Sequence, residues 1–401
     1  VAKAEILLPE AETPLRIAVV ETAQFGGLLH YAVQLADALA EDGERVDLIV
    51  PAGNELEGRS GAAVRRALLP SWLPSDQEAG TPLSILRRRA RTAVGRVLAW
   101  TRIIRVVRRE SYDAVVLNGS VDLWLTALGA LCLTAFSGRT KITHICHNVR
   151  PFNRWGGEDL FVSSRLILAL LRVLYPAFDL VFVHGERSRA ELLETWPGTQ
   201  VSVIPHGDER IFGEQPPPPA TEARALFFGD WRKVKGLSVL MAAFDELVER
   251  MPSARLTIAG APSYEEGEAE SVLRWSATRE DRVEVLPHYI PVEEVAELFG
   301  RARVVVLPYL VGYQSGVLHL AMTMARAVVI SDVGDLGSAV HAGETGLLVP
   351  PGEVSTLAAA LEELLNDSPR ANQMGLAARE RLERGSSWQL VAERMSAALH
   401  G

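Results

Sequence analysis

Two cations a short distance beyond a glycine are the first residues here whose chemistry can be read. They are Arg232 and Lys235 in the stretch LFFGDWRKVKG, residues 226–236. Three apolar residues run into Gly229. After Gly236, the residues Leu237, Leu240, Met241, Phe244, Leu247 and Val248 recur at helical spacing. The stretch reads as a buried strand, a tight turn and an amphipathic helix. The end of a parallel strand feeding a helix N-terminus offers an anion free N–H groups and the positive end of the helix dipole. Arg232 and Lys235 add two mobile positive charges that suit a diphosphate. An ordinary surface turn with two solvated cations has the same residues, so both readings stay open on this stretch alone.

Other candidates lie at other strand ends. Residues 141–146 (KITHIC) read as a strand that delivers His147 and Asn148 at its carboxyl end, where ligands and catalysis concentrate in parallel sheets. His147 is an acid/base candidate, against the alternative of a hydrogen-bonded structural histidine. Cys146 suggests a thiol nucleophile only weakly, because adjacent strand residues point to opposite faces. The same alternation splits His144-Ile145-Cys146-His147 as a metal cluster. In the loop beyond Pro308, Gln314 offers an amide to hydroxyls. Ser315, Gly316 and Val317 place their N–H groups at a helix start, which is an anion seat or simply a glycine turn. Gly26 and Gly27 lack the full dinucleotide fingerprint, yet two glycines let a ligand approach the backbone closely. There is no Asp-x-Asp pair, Gly-x-Ser-x-Gly elbow or Walker A loop, so no metal site is expected.

The elements that must position these residues alternate. Residues 15–20 (LRIAVV) read as a buried strand, followed by the ETAQFGG turn. A helix over 28–42 has Leu28, Ala32, Leu35 and Leu39 on one face, and Gly43 can end it. A strand over 46–50, closed by Pro51, completes a β–turn–α–β unit of the doubly wound kind. Residues 52–83 read as one long loop. Further strands fall at 113–117, 179–183 and 201–204, the last leading to Pro205-His206-Gly207. The apolar run 123–136 reads as a buried helix, too short to span a bilayer. Four prolines at 216–219 suit neither helix nor central strand and mark a domain boundary. The rhythm then restarts, with strands at 255–259, 283–286, 303–307 and 327–330, the TGLLVPPG turn, and closing helices from about residue 355. Two such domains facing each other leave a cleft for a ligand.

The chain's 401 residues exceed one ordinary core and suit two domains. Hydrophobic residues at 48% and charged residues at 23% describe a soluble globular protein. Two cysteines, Cys132 and Cys146, give no disulfide framework, which fits a reducing cytoplasm. The net charge of −9 argues against bulk nucleic-acid binding. The charge is uneven, at about +1 over residues 1–200 and about −10 beyond. A helix over about 82–109 carries Arg87, Arg88, Arg89, Arg91, Arg96, Arg102, Arg105, Arg108 and Arg109, interleaved with Leu98, Trp100, Ile103, Ile104, Val106 and Val107. It is either a patch for acidic lipid headgroups or an anionic acceptor, or a solvated helix whose apolar face covers the sheet. Residues 1–15 show no secretory signal.

In order, the chain has a GG turn with a histidine after it, the strand-end His147, VIPHG, FFG…R…KG, LPY…QSGVL, VGD and ETGLLVPPG. Each motif is weak alone; their order over about residues 15–395 is specific. The sequence resembles the retaining GT-B glycosyltransferases of the glycosyl transferase group 1 family, in its QSGV-type branch. The resemblance implies an α/β fold of GT-B architecture, two Rossmann-like doubly wound domains with an interdomain cleft. It implies an N-terminal acceptor-side domain over 1–205, a C-terminal nucleotide-sugar-binding domain over 206–385, and a helix over 386–401 crossing back to the first. The implied enzyme is hexosyltransferase-like and serves glycan or natural-product biosynthesis. It moves a sugar from a nucleotide-diphosphate donor to a hydroxyl acceptor on a glycan, a lipid-linked sugar or a small molecule. Retention at the anomeric carbon, no required metal and no cofactor beyond the nucleotide-sugar co-substrate come with it.

Carried onto this sequence, the resemblance gives Arg232 and Lys235 the departing diphosphate and puts His147 near the transferred sugar, on the acceptor side. Gly26 and Gly27 let the N-domain backbone close over the diphosphate, and Gly229 lies beside the two cations. Gln314, Ser315, Gly316 and Val317 hold sugar hydroxyls and phosphate, while Tyr289 and Ile290 match the loop whose backbone meets the nucleobase. No carboxylate is evident on the sugar's other face, so front-face attack is expected, with the leaving phosphate helping to take the acceptor proton. The chain departs from the family twice. The usual two glutamates of the loop are absent, with Gln314 and Leu320 or Met322 in that neighbourhood. Asp230 follows Gly229 where many relatives place arginine. These departures motivate the alternative of a catalytically silent sugar-nucleotide-binding or scaffold subunit. The expected location is cytoplasmic, peripheral to the inner membrane face if the arginine-rich helix around 87–109 docks on lipid.

Overall fold

Short runs of Val, Ile, Leu and Phe bounded by turns form strands buried on both faces, the pattern of parallel sheets covered by helices. The computed structural model describes residues 13–59, 61–70, 82–119, 124–152, 161–162, 164–262 and 267–401. The first half alternates as β1 (Arg16–Val20), α1 (Gly27–Glu41), β2 (Arg45–Pro51), β3 (Val64–Leu69), α2 (Pro82–Glu110), β4 (Ala114–Leu117), α3 (Trp124–Phe136), β5 (Lys141–Ile145), α4 (Arg165–Leu174), β6 (Leu180–Val183), α5 (Glu186–Thr195) and β7 (Val201–Val203). The second half continues as β8 (Arg224–Phe228), α6 (Leu237–Arg250), β9 (Arg255–Ala259), α7 (Glu268–Ser276), β10 (Val283–Leu286), α8 (Val292–Arg301), β11 (Val304–Leu307), α9 (Gly316–Thr323), β12 (Ala327–Ser331), α10 (Leu336–Ala339), β13 (Leu347–Val349), α11 (Val354–Asn366), α12 (Ser368–Gly385) and α13 (Trp388–His400).

The strands form two sheets. One has seven strands in the order β3-β2-β1-β4-β5-β6-β7, the other six in the order β10-β9-β8-β11-β12-β13. All named pairings are parallel. Each order reverses beside its first strand, at β1/β4 and at β8/β11. Such a switch point opens a crevice at the carboxyl ends of the strands. This is the doubly wound α/β arrangement expected, made twice. One face of the first sheet packs on α2, α3, α4 and α5; the other packs on α1 and α13. The chain's last helix thus seats Val391, Ala392, Met395 and Leu399 against the first sheet's core. Trp388 Nε1 donates to Asp208 O at 2.7 Å.

Three expectations need correction. Residues 52–83 are not one loop: 64–69 form β3, an edge strand with a single neighbour, paired to β2. Its Val64 is exposed and its arginines half-buried, so it lacks the apolar run that marks an inner strand. Residues 71–81 lie outside the described residues, as do residues 1–12. The TGLLVPPG segment contains β13, the short edge strand of the second sheet. The apolar run at 124–136 is helical but not buried all round. Ala127, Ala130 and Leu133 face the core, while Trp124, Leu128 and Phe136 are 54%, 44% and 59% exposed. Leu123 is outside the described residues.

The turn after β8 works only with glycine. Gly236 has φ 68° and a Cβ there would lie 1.9 Å from Pro308 O. A left-handed backbone disfavours any side chain, and the carbonyl opposite leaves no room for one. Gly236→Ala is expected to cost about 2 kcal/mol or more, read as a lower thermal midpoint. A midpoint within error of the original would show that this approach is not tight.

Candidate active site

The carboxyl ends of the two sheets face each other across a cavity of about 460 Å3. Every residue singled out from the sequence lines it: Gly26, Gly27 and His147 from the first sheet's side, Gly229, Arg232, Lys235, Tyr289, Ile290, Gln314, Ser315, Gly316 and Val317 from the second. Arg232 and Lys235 therefore face the gap between the sheets. The N-terminus that borders the cavity is that of α9, whose Ser315 has extended backbone (φ −150°, ψ 118°) and leads into helical Gly316 and Val317. The first turn of α6 is not among the lining residues, whereas Gly316 and Val317 at the start of α9 are.

The charges here are held by neighbours. Arg232 Nε donates to the Asp230 carboxylate. Lys235 Nζ stands 3.9 Å from the centroid of the Tyr309 ring, a cation–π seat. Removal from water raises the Asp230 pKa, but Arg232 and then Lys235 more than offset that, and it is lowered overall. Asp230 is therefore an anion at neutral pH, and the three side chains together carry one net positive charge.

His147 is part of a chain of hydrogen bonds running from one sheet to the other. Its Nε2 lies 3.0 Å from Asn118 Oδ1 and its Nδ1 3.3 Å from Gln314 Nε2. Asn118 Nδ2 donates to Glu21 Oε2 at 2.6 Å and to Leu28 O at 2.8 Å. With Gln314 donating to Nδ1, the ring carries its proton on Nε2 and donates it to Asn118. Burial, then His184 and His144, depress the His147 pKa well below 6.5, so the ring is neutral. Both its nitrogens are occupied by protein partners, which suits a residue that orients Gln314. Gln314 Oε1 and Tyr31 Oη, by contrast, are buried without a hydrogen-bond partner. Both residues line the cavity. An unsatisfied buried polar atom costs about 1–3 kcal/mol, so the two atoms favour a ligand with hydroxyls.

Several residues at the site escaped the sequence reading. Glu209 lines the cavity from the segment after β7. Its Oε2 accepts from Gln34 Nε2 at 3.2 Å, and a Cβ on Gly316 would lie 3.2 Å from its Oε1. Beside that of Asp230, the cavity thus holds a second carboxyl. Burial, and to a lesser degree Asp208, push its pKa up to about 8 against the pull of Gln34. The signal was available, since Asp208-Glu209 follows the strand-end PHG directly. Glu55, in the segment read as loop, accepts from Gly26 N at 2.6 Å and pairs with His30 Nε2 at 2.6 Å. Tyr289 Oη reaches across from the second sheet's side to donate to Glu55 Oε2 at 2.6 Å. Phe25 packs edge-on to the same tyrosine, ring centroids 5.6 Å apart. Cys146 is sealed against Tyr175 Oη at 3.3 Å, and burial pushes its thiol up to about 12, so it is no nucleophile.

Residues 25–207 match the family model described as Glycosyltransferase Family 4, and residues 222–367 the one described as Glycosyl transferases group 1. A D-inositol 3-phosphate glycosyltransferase from Corynebacterium diphtheriae is 32% identical over 395 residues, covering 92% of this chain and 88% of that protein. This chain belongs to the group 1 glycosyltransferases. An alpha-maltose-1-phosphate synthase from Mycolicibacterium smegmatis is 28% identical over 298 residues, 67% of this chain and 75% of that protein. The structure of Anabaena HepE in complex with UDP-glucose matches with a TM-score of 0.70 at 15% identity, covering 96% of this chain and 99% of that one. That likeness shows the GT-B fold.

The buried groups of this glycosyltransferase set its response to pH. His184 and His319 are held to about 4, and His147 and His206 well below 6.5, first by burial. They stay neutral in the folded chain and take up protons on unfolding below about pH 6.5. Their contribution is complete above that pH and is lost as pH falls towards 4. Glu209 has the opposite sign. Its raised pKa makes a contribution complete below 4.5 that is lost as pH rises through about 8. Of these groups only Glu209 acts between pH 6.5 and 8. Glu209→Gln is therefore expected to flatten the fall in melting temperature over that window and to leave the acid fall in place. An alkaline limb unchanged by the substitution would remove Glu209 from the account.

Proposed function

We propose that this glycosyltransferase moves a sugar from a nucleotide-diphosphate donor to a hydroxyl acceptor, with retention at the anomeric carbon, by front-face attack and without a required metal. The observation that carries the reading is the convergence of Arg232, Lys235 and the first N–H groups of α9 on one cavity. Breaking the sugar–phosphate bond builds negative charge on the departing diphosphate and positive charge on the sugar. Fixed cations and N–H dipoles stabilise the first of these more in the transition state than in the ground state. They supply the charge that a metal supplies elsewhere. HepE, of the same fold, is bound to UDP-glucose in its structure, which supports the donor class.

Gln314 Oε1 and Tyr31 Oη are positioned to accept from sugar or acceptor hydroxyls. The chain Glu21–Asn118–His147 holds Gln314 in place, so His147 acts as a positioning residue next to the sugar. Gly26 and Gly27 face the diphosphate from the first domain, and the backbone at Tyr289 and Ile290 meets the base. Glu209 is protonated near neutral pH and is a poor nucleophile. This favours attack from the leaving-group side, with the departing phosphate oxygen accepting the acceptor's proton. On this reading residues 1–205 form the acceptor side, 206–385 the donor side, and 386–401 the return helix. Two free cysteines fit a reducing cytoplasm as the place of reaction. A catalytically silent scaffold is not favoured, because the cavity keeps its cations, its helix N-terminus and orphaned acceptors despite the missing glutamates.

Lys235→Ala is expected to lower kcat on the order of 10- to 100-fold with an unchanged melting temperature. The donor for that assay is chosen by a thermal-shift screen with UDP-, GDP-, ADP- and dTDP-sugars. Full turnover in the variant would take Lys235 out of the reaction. Donor binding with neither transfer nor hydrolysis across the panel would return the scaffold reading.

A further inference from the structure

The helices that cover one face of the first sheet leave an unusual outer surface. Ala99, Trp100 and Ile103 of α2, Ala127 and Leu133 of α3, and Leu171 and Leu174 of α4 share one core with the sheet. α3 packs between α2 and α4. The sides of the three helices turned away from that core therefore face the same way. On α2 that side carries Val94, Val97 and Leu98, all at least half exposed. On α3 it carries Trp124 and Leu128, and on α4 Leu166 and Val173. Single exposed apolar residues are ordinary, but a cluster over three adjacent helices marks an interaction surface.

The charges of these three helices are nearly all of one sign, whereas α5, whose Leu192 shares the same core, carries Glu186, Glu191 and Glu194 beside Arg187 and Arg189. α2 carries nine arginines and one acid, Glu110. That acid is turned to Arg16 and Arg66 of the strands. α3 has no charged residue, and α4 has Arg165 and Arg172 and no acid. Arg87, Arg91, Arg102 and Arg105 are exposed on α2, above and below its apolar residues. This arrangement stands on a chain whose net charge is −9. Exposed Trp, Leu and Val flanked by arginine stems, without acids, match the boundary between acyl chains and anionic headgroups. Among the described residues no helix is long and apolar enough to cross a membrane. The contact would therefore be one of lying on the surface.

We propose that the outer face of α2, α3 and α4 docks on an anionic lipid leaflet, with the apolar residues entering the headgroup boundary and the arginines pairing with lipid phosphates. In a doubly wound sheet the helices run antiparallel to the strands, so the N-terminal ends of α2, α3 and α4 lie at the end of the sheet that carries the cavity. Arg87, Trp124 and Leu166, near the starts of the three helices, thus lie towards the cavity end of the sheet. The inference does not rest on the identity of donor or acceptor.

The test is co-sedimentation of the full chain with vesicles of phosphatidylcholine alone and with about a third phosphatidylglycerol. Binding is expected only to the anionic vesicles and is expected to fall as salt rises. A variant with Arg87→Glu, Arg91→Glu and Arg105→Glu is expected to lower partitioning on the order of 100-fold. A variant with Trp124→Ser, Leu128→Ser and Leu166→Ser is expected to lower it about tenfold. Both sets sit on exposed positions, and an unchanged thermal midpoint confirms folding. No binding of the original chain at low salt overturns the proposal, as does binding that neither set weakens. A self-associating chain whose dimer the serine set dissolves, with vesicle binding unaltered, overturns it in favour of a second copy.

Discussion

Polar groups sealed between two sheets must be either neutral or paired, and the cleft of this protein is built around that constraint. Removing a charge from water costs more than most single contacts return. The titratable groups at the centre respond in kind. The four histidines give up their protons and Glu209 keeps its own. The acids that bridge the two domains have several partners each. Asp335, beside the second sheet, accepts from the backbone N–H of Arg187 at 3.1 Å and of Ser188 at 3.0 Å, and so caps α5 of the first domain. Glu55 is lowered despite its burial because His30 and Tyr289 donate to it. The two domains are thus joined across the cleft by carboxylates that each reach a partner on the opposite side.

The same constraint explains why Gln314 is a precise element rather than a loose one. Its amide nitrogen is held by a ring that is itself held by Asn118, which is held by Glu21. Each link crosses from the end of one strand to the next, β1 to β4 to β5, before reaching the loop ahead of α9. A side chain fixed at its nitrogen presents its oxygen in one direction. That oxygen is the atom left without a partner. Orientation on the first sheet is thereby converted into an acceptor at the mouth of a helix on the second, and polar satisfaction and preorganisation are the same arrangement seen from two sides.

Much of the fold was legible because inner parallel strands are apolar on both faces and their ends are marked by glycine, proline or histidine. AVVL, LVFV and VVVL could hardly be anything else in this context. β3 was missed because VRRALL pairs on one side only and keeps its arginines half in water. The α3 helix was legible as a helix but not in its exposure, since a run without charges gives no sign of which side meets solvent. The residues that the sequence placed at the site all line one cavity, because strand ends and helix starts carry local marks. Glu55 carries none, and Asn118 and Glu209, though each follows the end of a strand, belong to no motif that names a role. Glu55 meets Tyr289 only when two separate sheets are brought together, and no periodicity over neighbouring residues encodes that meeting. Their roles belong to long-range geometry.

Asp230 shows what that geometry can do with a residue that looks misplaced. An acid directly after Gly229 subtracts from the positive field that the proposed diphosphate site needs. Yet a mobile arginine at a cavity wall spends most of its time in solvent, and the entropy of ordering its side chain is lost on each binding event. Asp230 takes the Nε edge of the guanidinium and so holds Arg232 against the wall before any ligand arrives. The aspartate lowers the resting charge by one. The guanidinium has five N–H donors, and a carboxylate at one edge does not exhaust them. Lys235, on the face of Tyr309, is fixed by a partner with no charge and feels the Asp230 carboxylate less than Arg232 does. One cation is held by a charge and one by a ring, with the N–H groups of α9 beside them. For the diphosphate proposed above, such a seat would draw its strength from side chains already in place when the anion arrives, more than from net charge.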